Sequence, residues 1–557
     1  MDTITSLIDA SCRKFELRPA FFQKCRGQWQ ETSYASLLAT SDKVAAGLLL
    51  NGFRLGDHAA LLASSTPQWV MVYLGILKAG GVVVPIDKEL KEVEIRHILS
   101  HSEARALFVD NDRLEMALRL AEGLKDLEVI IPVPSAGEAL PQGSGLSLPP
   151  LLSFGDLLQA GGAAPVLHRP EDPALILYTS GTTGRAKGAM ISHANIVSNI
   201  RGAAAHLGVD HSVHTLSFLP VNHVFEQVCG ILLPLSLGGK VSFCESLKKL
   251  GENLAEVKPT FFVGVPAVYR MILNRIMKKI EEQSVSRLLF SFHVTRPLIA
   301  AGVRRKLGSG TIFISGGAAL DPVIADGFAK LGVTLYQGYG ITETSPVIAA
   351  ESRSGVRPGT VGRVLSGVEV RIEAPDDEQV GEILVKGPNV MLGYFKDPHA
   401  TEEAIVAGWY RTGDLGRLDS DGFLSVCGRV KSLIVTPNGK NVYPEEVEIE
   451  ILKSPFIAEA VVYAHKNAVG EEEIAAVIRP NTETLDEYAV AQGRGALANG
   501  EVISLLRREV YGTCEKLAAY KRVKRVTVHN KEFPKTTTHK IKRFELERLM
   551  AESSVRT

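Results

Sequence analysis

Short apolar runs alternate with helical patterns through the N-terminal part of the chain, and that alternation constrains the fold more than any other property of the sequence. Residues 59–63, 81–85, 106–109 and 129–132 read as strands, while 42–50 and 67–78 carry apolar residues at helical spacing. Strands interleaved with helices argue for α/β layers with largely parallel sheets. A second α/β block is expected from about 195 to 350. Beyond Pro358 the strand-like pieces 368–373 and 381–386 come with short turns and little helix, which predicts a small β unit. At 557 residues the chain exceeds what one core serves, so at least two domains are expected. Residues 133–150, rich in Pro, Gly and Ser, read as a surface loop, and 492–500 as an insertion near the C-terminus.

The segment YTSGTTGRAKG at 178–188 follows the apolar run 174–177 and has the composition of a phosphate-holding loop. Glycines let a backbone approach an anion, hydroxyls and amides donate to it, and Arg185 and Lys187 supply positive charge. A polar surface turn is the plainer reading, but it explains neither the hydroxyls nor the cations. The loop is not a Walker A motif, because Lys187 is followed by Gly188 rather than a Ser or Thr that would sit on Mg²⁺. Any metal must be held elsewhere.

Further motifs follow in order: SGGAAL at 315–320, YGITE at 339–343, WYRTGD at 409–414, GRVKS at 428–432, NGKNVYPEEVE at 438–448 and PKTTTHKIKR at 534–543. Together with the phosphate loop they resemble the signature series of the adenylate-forming superfamily, and within it the AMP-forming long-chain fatty acid:CoA ligases. The resemblance implies a large N-terminal domain, 1–430, of two α/β subdomains and a small β-barrel. A smaller mobile α+β domain, 431–557, would follow, with Lys431 at the hinge. It also implies an acid–thiol ligase that uses ATP, Mg²⁺ and coenzyme A.

Such a reaction replaces a carboxylate oxygen by AMP, and the negative charge spread in its transition state needs positioned donors and cations. The resemblance places Thr179, Ser180, Thr182, Thr183 and Lys187 on the β- and γ-phosphates. It places Tyr339 against adenine, Thr342 at the α-phosphate and Glu343 on Mg²⁺. Asp414 would accept both ribose hydroxyls, with Arg429 also reaching the ribose. Lys540 matches the lysine that neutralises charge between carboxylate and α-phosphate. This chain has His539 where the family string usually has glycine. Gly439 falls at the close approach beside pantetheine, which favours full thioester synthesis.

The acid is read from fewer residues. LPVNHVFEQV at 219–228 resembles the LPxxHxFE segment of long-chain enzymes. In it His223 would gate the acyl channel or touch the carboxylate, against the plainer reading of a helix-capping histidine. Gly340 stands where acetate-activating relatives carry a pocket-closing tryptophan, which leaves the pocket open to longer acids. Gly316, Gly317, Val263 and Val265 are expected in its wall. The neighbours of His223 are uncharged, which disfavours an α-amino acid, with Glu226 the one nearby carboxylate. The alternatives are a CoA ligase for an alicyclic or aromatic acid, and an acyl-AMP ligase loading a carrier protein.

Lys and Arg number 62 and Asp and Glu 62, so nothing calls for nucleic acid. The six cysteines show no paired or zinc-type spacing and read as reduced thiols. The N-terminus lacks an export pattern and the apolar stretch 69–85 is too short and too interrupted to span a bilayer, so a cytoplasmic protein is expected, with room for peripheral membrane contact. The sequence does not address oligomeric state.

Overall fold

The computed structural model describes residues 2–134, 150–159, 166–179, 186–292, 294–436, 440–466, 472–535, 541–543 and 545–546. Its contacts divide the chain into two compact units, Met1–Glu369 with Val385–Tyr410, and Val370–Leu384 with Arg411–Thr557.

In the larger unit the apolar runs form the strands the alternation predicts. Val82–Pro85, Phe261–Gly264 and Ile312–Ser315 are buried along their whole length, as parallel strands covered on both faces must be. Among the described residues, seven strands form a sheet in the order Gly393–Tyr394, Lys187–Ser192, Pro173–Thr179, Val82–Pro85, His58–Leu62, Ala104–Asp110, Val129–Val133. Nine form a second sheet, running from Arg363–Val364 through Val347–Ala350, Leu335–Gly340, Ile312–Ser315, Phe261–Gly264 and His214–Ser217 to Lys240–Phe243, Pro19–Cys25 and Gln28–Ser33. The helices have local causes. Pro67–Lys78 starts on Thr66, whose hydroxyl accepts from Trp69 N–H, with proline in the first turn. His193–Leu207 starts on a reciprocal Ser192–Asn195 cap and stops at Gly208 in the left-handed conformation. The buried Lys78 ammonium lies 2.8 Å from Asp9 and 2.7 Å from Asp42, the pairing that makes an interior charge tolerable.

In the smaller unit, Ile457–Lys466, Glu472–Pro480 and Arg525–Val528 form a sheet that shares a core with the helices Pro444–Ile451 and Asn499–Cys514. The expected insertion is the short turn between helix Thr482–Ala491 and helix Asn499–Cys514, braced by Arg494 on both oxygens of Glu501 at 2.8 Å. The hairpin of Trp409–Leu418 with Leu424–Arg429 belongs mainly to this unit by contact. The mixed α/β class is therefore as the sequence indicates. All six cysteines are free, and among the described residues no helix is long and apolar enough to cross a membrane.

Candidate active site

In the larger unit, Thr179 and Lys187 are direct partners across the antiparallel pair that Pro173–Thr179 makes with Lys187–Ser192. The phosphate loop is thus the connection of a hairpin. Ser180, Thr182 and Thr183 lie outside the described residues. On the far side of Lys187–Ser192 the short strand Gly393–Tyr394 pairs Tyr394 with Ala189. This brings the Tyr394 ring beneath Lys187, whose Nζ lies 5.1 Å from the ring centroid. The Tyr394 hydroxyl donates to Glu343 Oε1 at 3.2 Å. Tyr394 therefore joins the phosphate-loop lysine to the carboxylate of YGITE, and burial together with the Glu343 charge pushes its own phenol pKa up. No motif in the sequence pointed to Tyr394; its partner Glu343 is 51 residues away in the chain.

The turn that carries Thr342 and Glu343 is fixed from beneath. Thr342–Thr344 is a single 3₁₀ turn, closed by the Thr344 hydroxyl donating to Pro346 O at 2.7 Å. Asn199, from helix His193–Leu207, donates to Val347 O at 2.8 Å and accepts from Val347 N–H at 3.2 Å. Asn389 donates to Thr344 O at 3.1 Å, and Met391 N–H donates to Glu343 O at 2.9 Å. Each contact satisfies a buried polar group and at the same time sets the position of the turn. Tyr339 is half-buried at the end of Leu335–Gly340, paired with Ala349.

Gly340 has a backbone reason to be glycine. A Cβ there would lie 1.9 Å from Pro346 O, so the closing of this hairpin excludes any side chain whatever the acyl pocket requires. Gly317 is exposed, with φ +79°, and a Cβ on it would meet Val265 Cγ1 at 3.6 Å. At Gly316 a Cβ would meet the Phe225 ring at 3.0 Å, which brings the 219–228 segment onto the loop after Ile312–Ser315. His223 is half-buried, and its carbonyl accepts from Gln227 N–H at 3.1 Å as the chain turns into the helix.

One turn further, the π-helical stretch Glu226–Leu232 carries Glu226 wholly inside the protein. Among the described residues neither carboxyl oxygen makes a well-formed hydrogen bond. The carboxyl lies over Gly230, where a Cβ would approach it to 2.8 Å. Burial pushes its pKa up from 4.5 to about 8, tempered but not cancelled by the nearby Ser217 hydroxyl and Phe218 amide. At neutral pH Glu226 is a carboxylic acid, not a carboxylate.

In the smaller unit the two expected ribose residues are direct partners across the hairpin, and Arg429 Nε donates to Asp414 Oδ1 at 2.6 Å. Asp414 is buried, Arg429 half-exposed, and Asp414 N–H is held by the Thr412 hydroxyl at 3.0 Å. Lys431 lies exposed in the 3₁₀ turn Val430–Ser432. Lys540 and Gly439 fall outside the described residues, but the chain on either side of 536–540 is anchored. Lys535 bridges Ile541, Lys542 N–H donates to Pro534 O at 2.8 Å, and Lys535 forms an ion pair with Glu459. Arg543 reaches Glu448 at 2.7 Å, Glu445 at 3.2 Å and Val462 O at 3.1 Å.

Comparison with known proteins identifies the class. A family model described as AMP-binding enzyme matches residues 8–395. The long-chain-fatty-acid–CoA ligase FadD15 of Mycobacterium bovis is 32% identical over 468 residues, 78% of this chain and 76% of that protein. The peroxisomal long chain acyl-CoA synthetase 7 of Arabidopsis thaliana is 27% identical over 508 residues, 84% of this chain and 71% of that one. Among solved structures, ATP-bound MatB from Rhodopseudomonas palustris matches with a TM-score of 0.78 at 26% identity, covering 98% of this chain and 99% of that one. The anthranilate CoA ligase AuaEII in complex with anthranoyl-AMP matches with a TM-score of 0.79 over 99% and 98% of the two chains; at 22% identity that likeness concerns the fold alone. This chain belongs to the AMP-binding enzyme family. It is an AMP-forming acid–thiol ligase, an acyl-CoA synthetase that works with ATP, Mg²⁺ and coenzyme A.

Proposed function

We propose that the acid is a medium- to long-chain fatty acid, activated as acyl-AMP with release of pyrophosphate and then transferred to CoA with release of AMP. The observation that carries this reading is the 32% identity to a long-chain-fatty-acid–CoA ligase over 78% of the chain. The LPVNHVFEQV segment points the same way. Glu226, sealed in the interior and neutral at pH 7, offers no charge to an α-ammonium, which removes the one carboxylate that favoured an amino acid. Gly340 carries little weight for an open pocket, because the Pro346 carbonyl accounts for it.

In this mechanism Lys187 and the hydroxyls of Thr179, Ser180, Thr182 and Thr183 grip the outer phosphates. Tyr339 stacks on adenine, and Thr342 meets the α-phosphate. Glu343, a hard oxygen donor held by the Tyr394 phenol, fits Mg²⁺, which would take its remaining oxygens from phosphate and water and spread the charge of the leaving pyrophosphate. Arg429, which donates to Asp414 Oδ1, orients that carboxylate for the ribose hydroxyls. Lys540 closes on the carboxylate and α-phosphate for the first step. Rotation of 431–557 about Lys431 then brings Gly439 beside pantetheine for the second. Gly317 and Val265 line the acyl entrance, with His223 as its gate.

The test is CoA-dependent AMP release with acetate, hexanoate, palmitate, benzoate and cyclohexanecarboxylate, in the native protein and in Lys540→Ala. A maximum at hexanoate or palmitate that the variant abolishes is expected. A maximum at a ring acid overturns the substrate, and acyl-AMP formation without any thioester overturns CoA as acceptor in favour of a carrier protein.

A further inference from the structure

Large apolar side chains that face solvent are scattered singly over most of the described surface, with one exception. Between 285 and 298 five lie together: Val285 is 71% exposed, Leu288 60%, Phe292 59%, Val294 90% and Leu298 68%. No other stretch of that length among the described residues carries more than two. Val285, Leu288 and Phe292 follow the spacing i, i+3, i+7 along and just past helix Ser284–Ser291, so they share one face. The neighbouring Phe290, with Ile299 and Val303 from helix Arg296–Leu307, packs onto the core beneath. The exposed face is therefore additional to what the core uses. The turn behind it is braced: the Thr295 hydroxyl donates to Leu289 O at 2.5 Å, and Arg296 Nε donates to Phe290 O at 3.1 Å with its guanidinium 5.4 Å over the Phe290 ring.

The charge around this ridge is as uneven as its hydrophobicity. Residues 275–306 hold eight Lys and Arg against Glu281 and Glu282, a net of six positive charges in a chain whose formal net charge is zero. Lys279, Arg287, Arg305 and Lys306 are exposed. An apolar ridge in a cationic surround complements the boundary between anionic headgroups and acyl chains, and an apolar patch of this kind on a protein surface marks an interaction site. The ridge also connects with the candidate site. Helix Pro266–Glu282 starts at Val265, beside Gly317, and its 17 residues carry the chain about 25 Å to the ridge.

We propose that this ridge docks the protein on a bilayer that contains anionic lipid. The five apolar side chains enter the headgroup–acyl boundary and the basic side chains meet lipid phosphates. Its use, collecting an acid dissolved in the bilayer, rests on the fatty-acid reading above; the docking itself does not.

Flotation of the full chain, without substrate, on vesicles of phosphatidylcholine alone or with about one third phosphatidylglycerol tests this. The native protein should float with the anionic vesicles, and less so at high salt. Leu288→Glu with Phe292→Glu should lower the bound fraction about tenfold, and Arg305→Glu with Lys306→Glu should lower it on anionic vesicles. Thioester formation from water-soluble hexanoate serves as the control for folding and should stay at the native level in both variants. Native protein that does not float, equal binding to both vesicle types, or variants that float like the native chain would each overturn the proposal. So would a ridge substitution that changes the mass in solution without any vesicle binding, because the face would then join copies of this chain. If neither hexanoate nor palmitate is a substrate while flotation behaves as expected, the fatty-acid reading fails and the docking stands.

Discussion

Replacing Glu226 by glutamine should stabilise the larger unit, and by an amount that grows with pH. The side chain is fully buried and unpaired among the described residues, with its pKa pushed from 4.5 to about 8 by burial. Between those two values the native state holds a proton that the unfolded chain releases, so native stability falls as pH rises through this window and levels off above it. Each pH unit in the window costs about 1.4 kcal/mol, which gives about 3 kcal/mol at pH 7 and about 5 kcal/mol above pH 8. Glutamine keeps the shape of the protonated acid and carries no such penalty. The Ser217 hydroxyl, already beside the carboxyl, can accept from its amide.

The assay is thermal unfolding of the native protein and Glu226→Gln at pH 5.5, 7 and 8.5. For a unit of this size 3 kcal/mol corresponds to roughly 4 °C, so the two melting temperatures should differ by roughly 2 °C at pH 5.5 and separate progressively above it. Parallel pH dependences, or a variant less stable at every pH, would refute the reasoning. Parallel pH dependences would mean that Glu226 keeps its charge in the native state with a partner that stabilises it, and a variant less stable at every pH would mean that the amide does not fit where the protonated acid does.

Three further predictions concern the site. Tyr394→Phe removes the 3.2 Å hydrogen bond to Glu343 but keeps the ring under Lys187, so acid-dependent exchange of pyrophosphate into ATP should fall about tenfold and need more Mg²⁺, with the melting temperature unchanged. Gly340→Ala drives a Cβ into the Pro346 carbonyl and should cost more than about 2 kcal/mol of stability in a denaturant titration; a well-folded Gly340→Ala with only shortened chain-length preference would restore the pocket explanation. Arg543→Ala should slow adenylation about a hundredfold by loosening the anchorage of the segment with Lys540, while thioester formation from supplied acyl-AMP and CoA stays close to native and Arg543→Lys recovers part of the loss.

How far each feature could be read in advance follows from how local its cause is. Helix Pro67–Lys78 appears in the structure with the bounds its spacing predicts, because a cap, a proline and an apolar pattern all act within a few residues. The strand runs were legible for the same reason: a parallel strand covered on both faces is apolar without interruption. Tyr394 was not, since its importance lies in contacts with Lys187 and Glu343 that only sheet pairing creates. Asp414 and Arg429 could each be assigned to the ribose by motif, but their being register partners in one hairpin is a property of the turn between them. Glu226 was visible as a carboxylate near His223. Its burial comes from the packing of the π-helical stretch on strand His214–Ser217, where the Thr215 hydroxyl donates to Gly230 O at 2.8 Å. The grouping of 411–430 with the C-terminal residues had no signature either, because compactness by contact is not written in any local motif.

The two loops that carry the proposed chemistry are rooted in the same way, although they lie in different units and share no sequence. The phosphate segment is flanked by Thr179 and Lys187, which face each other in an antiparallel pair whose outer neighbour, Tyr394, touches both Lys187 and Glu343. The segment with Lys540 is flanked by Lys535 and Ile541, also antiparallel partners. Its first arm is held by Glu459, which accepts from Phe533 N–H at 3.2 Å and from Arg479 at 2.6 Å besides pairing with Lys535. Its second arm is held through Arg543 by Glu448, a carboxyl whose pKa burial raises to about 7 even with the Arg543 charge beside it. Interior carboxyls of this kind are costly to leave without a partner, so the energy that holds each arm is the desolvation penalty that would return if the arm came away. Residues 536–540 differ from the usual family string at His539, while the pairing of Lys535 with Ile541 and the contacts of Arg543 hold the chain on either side.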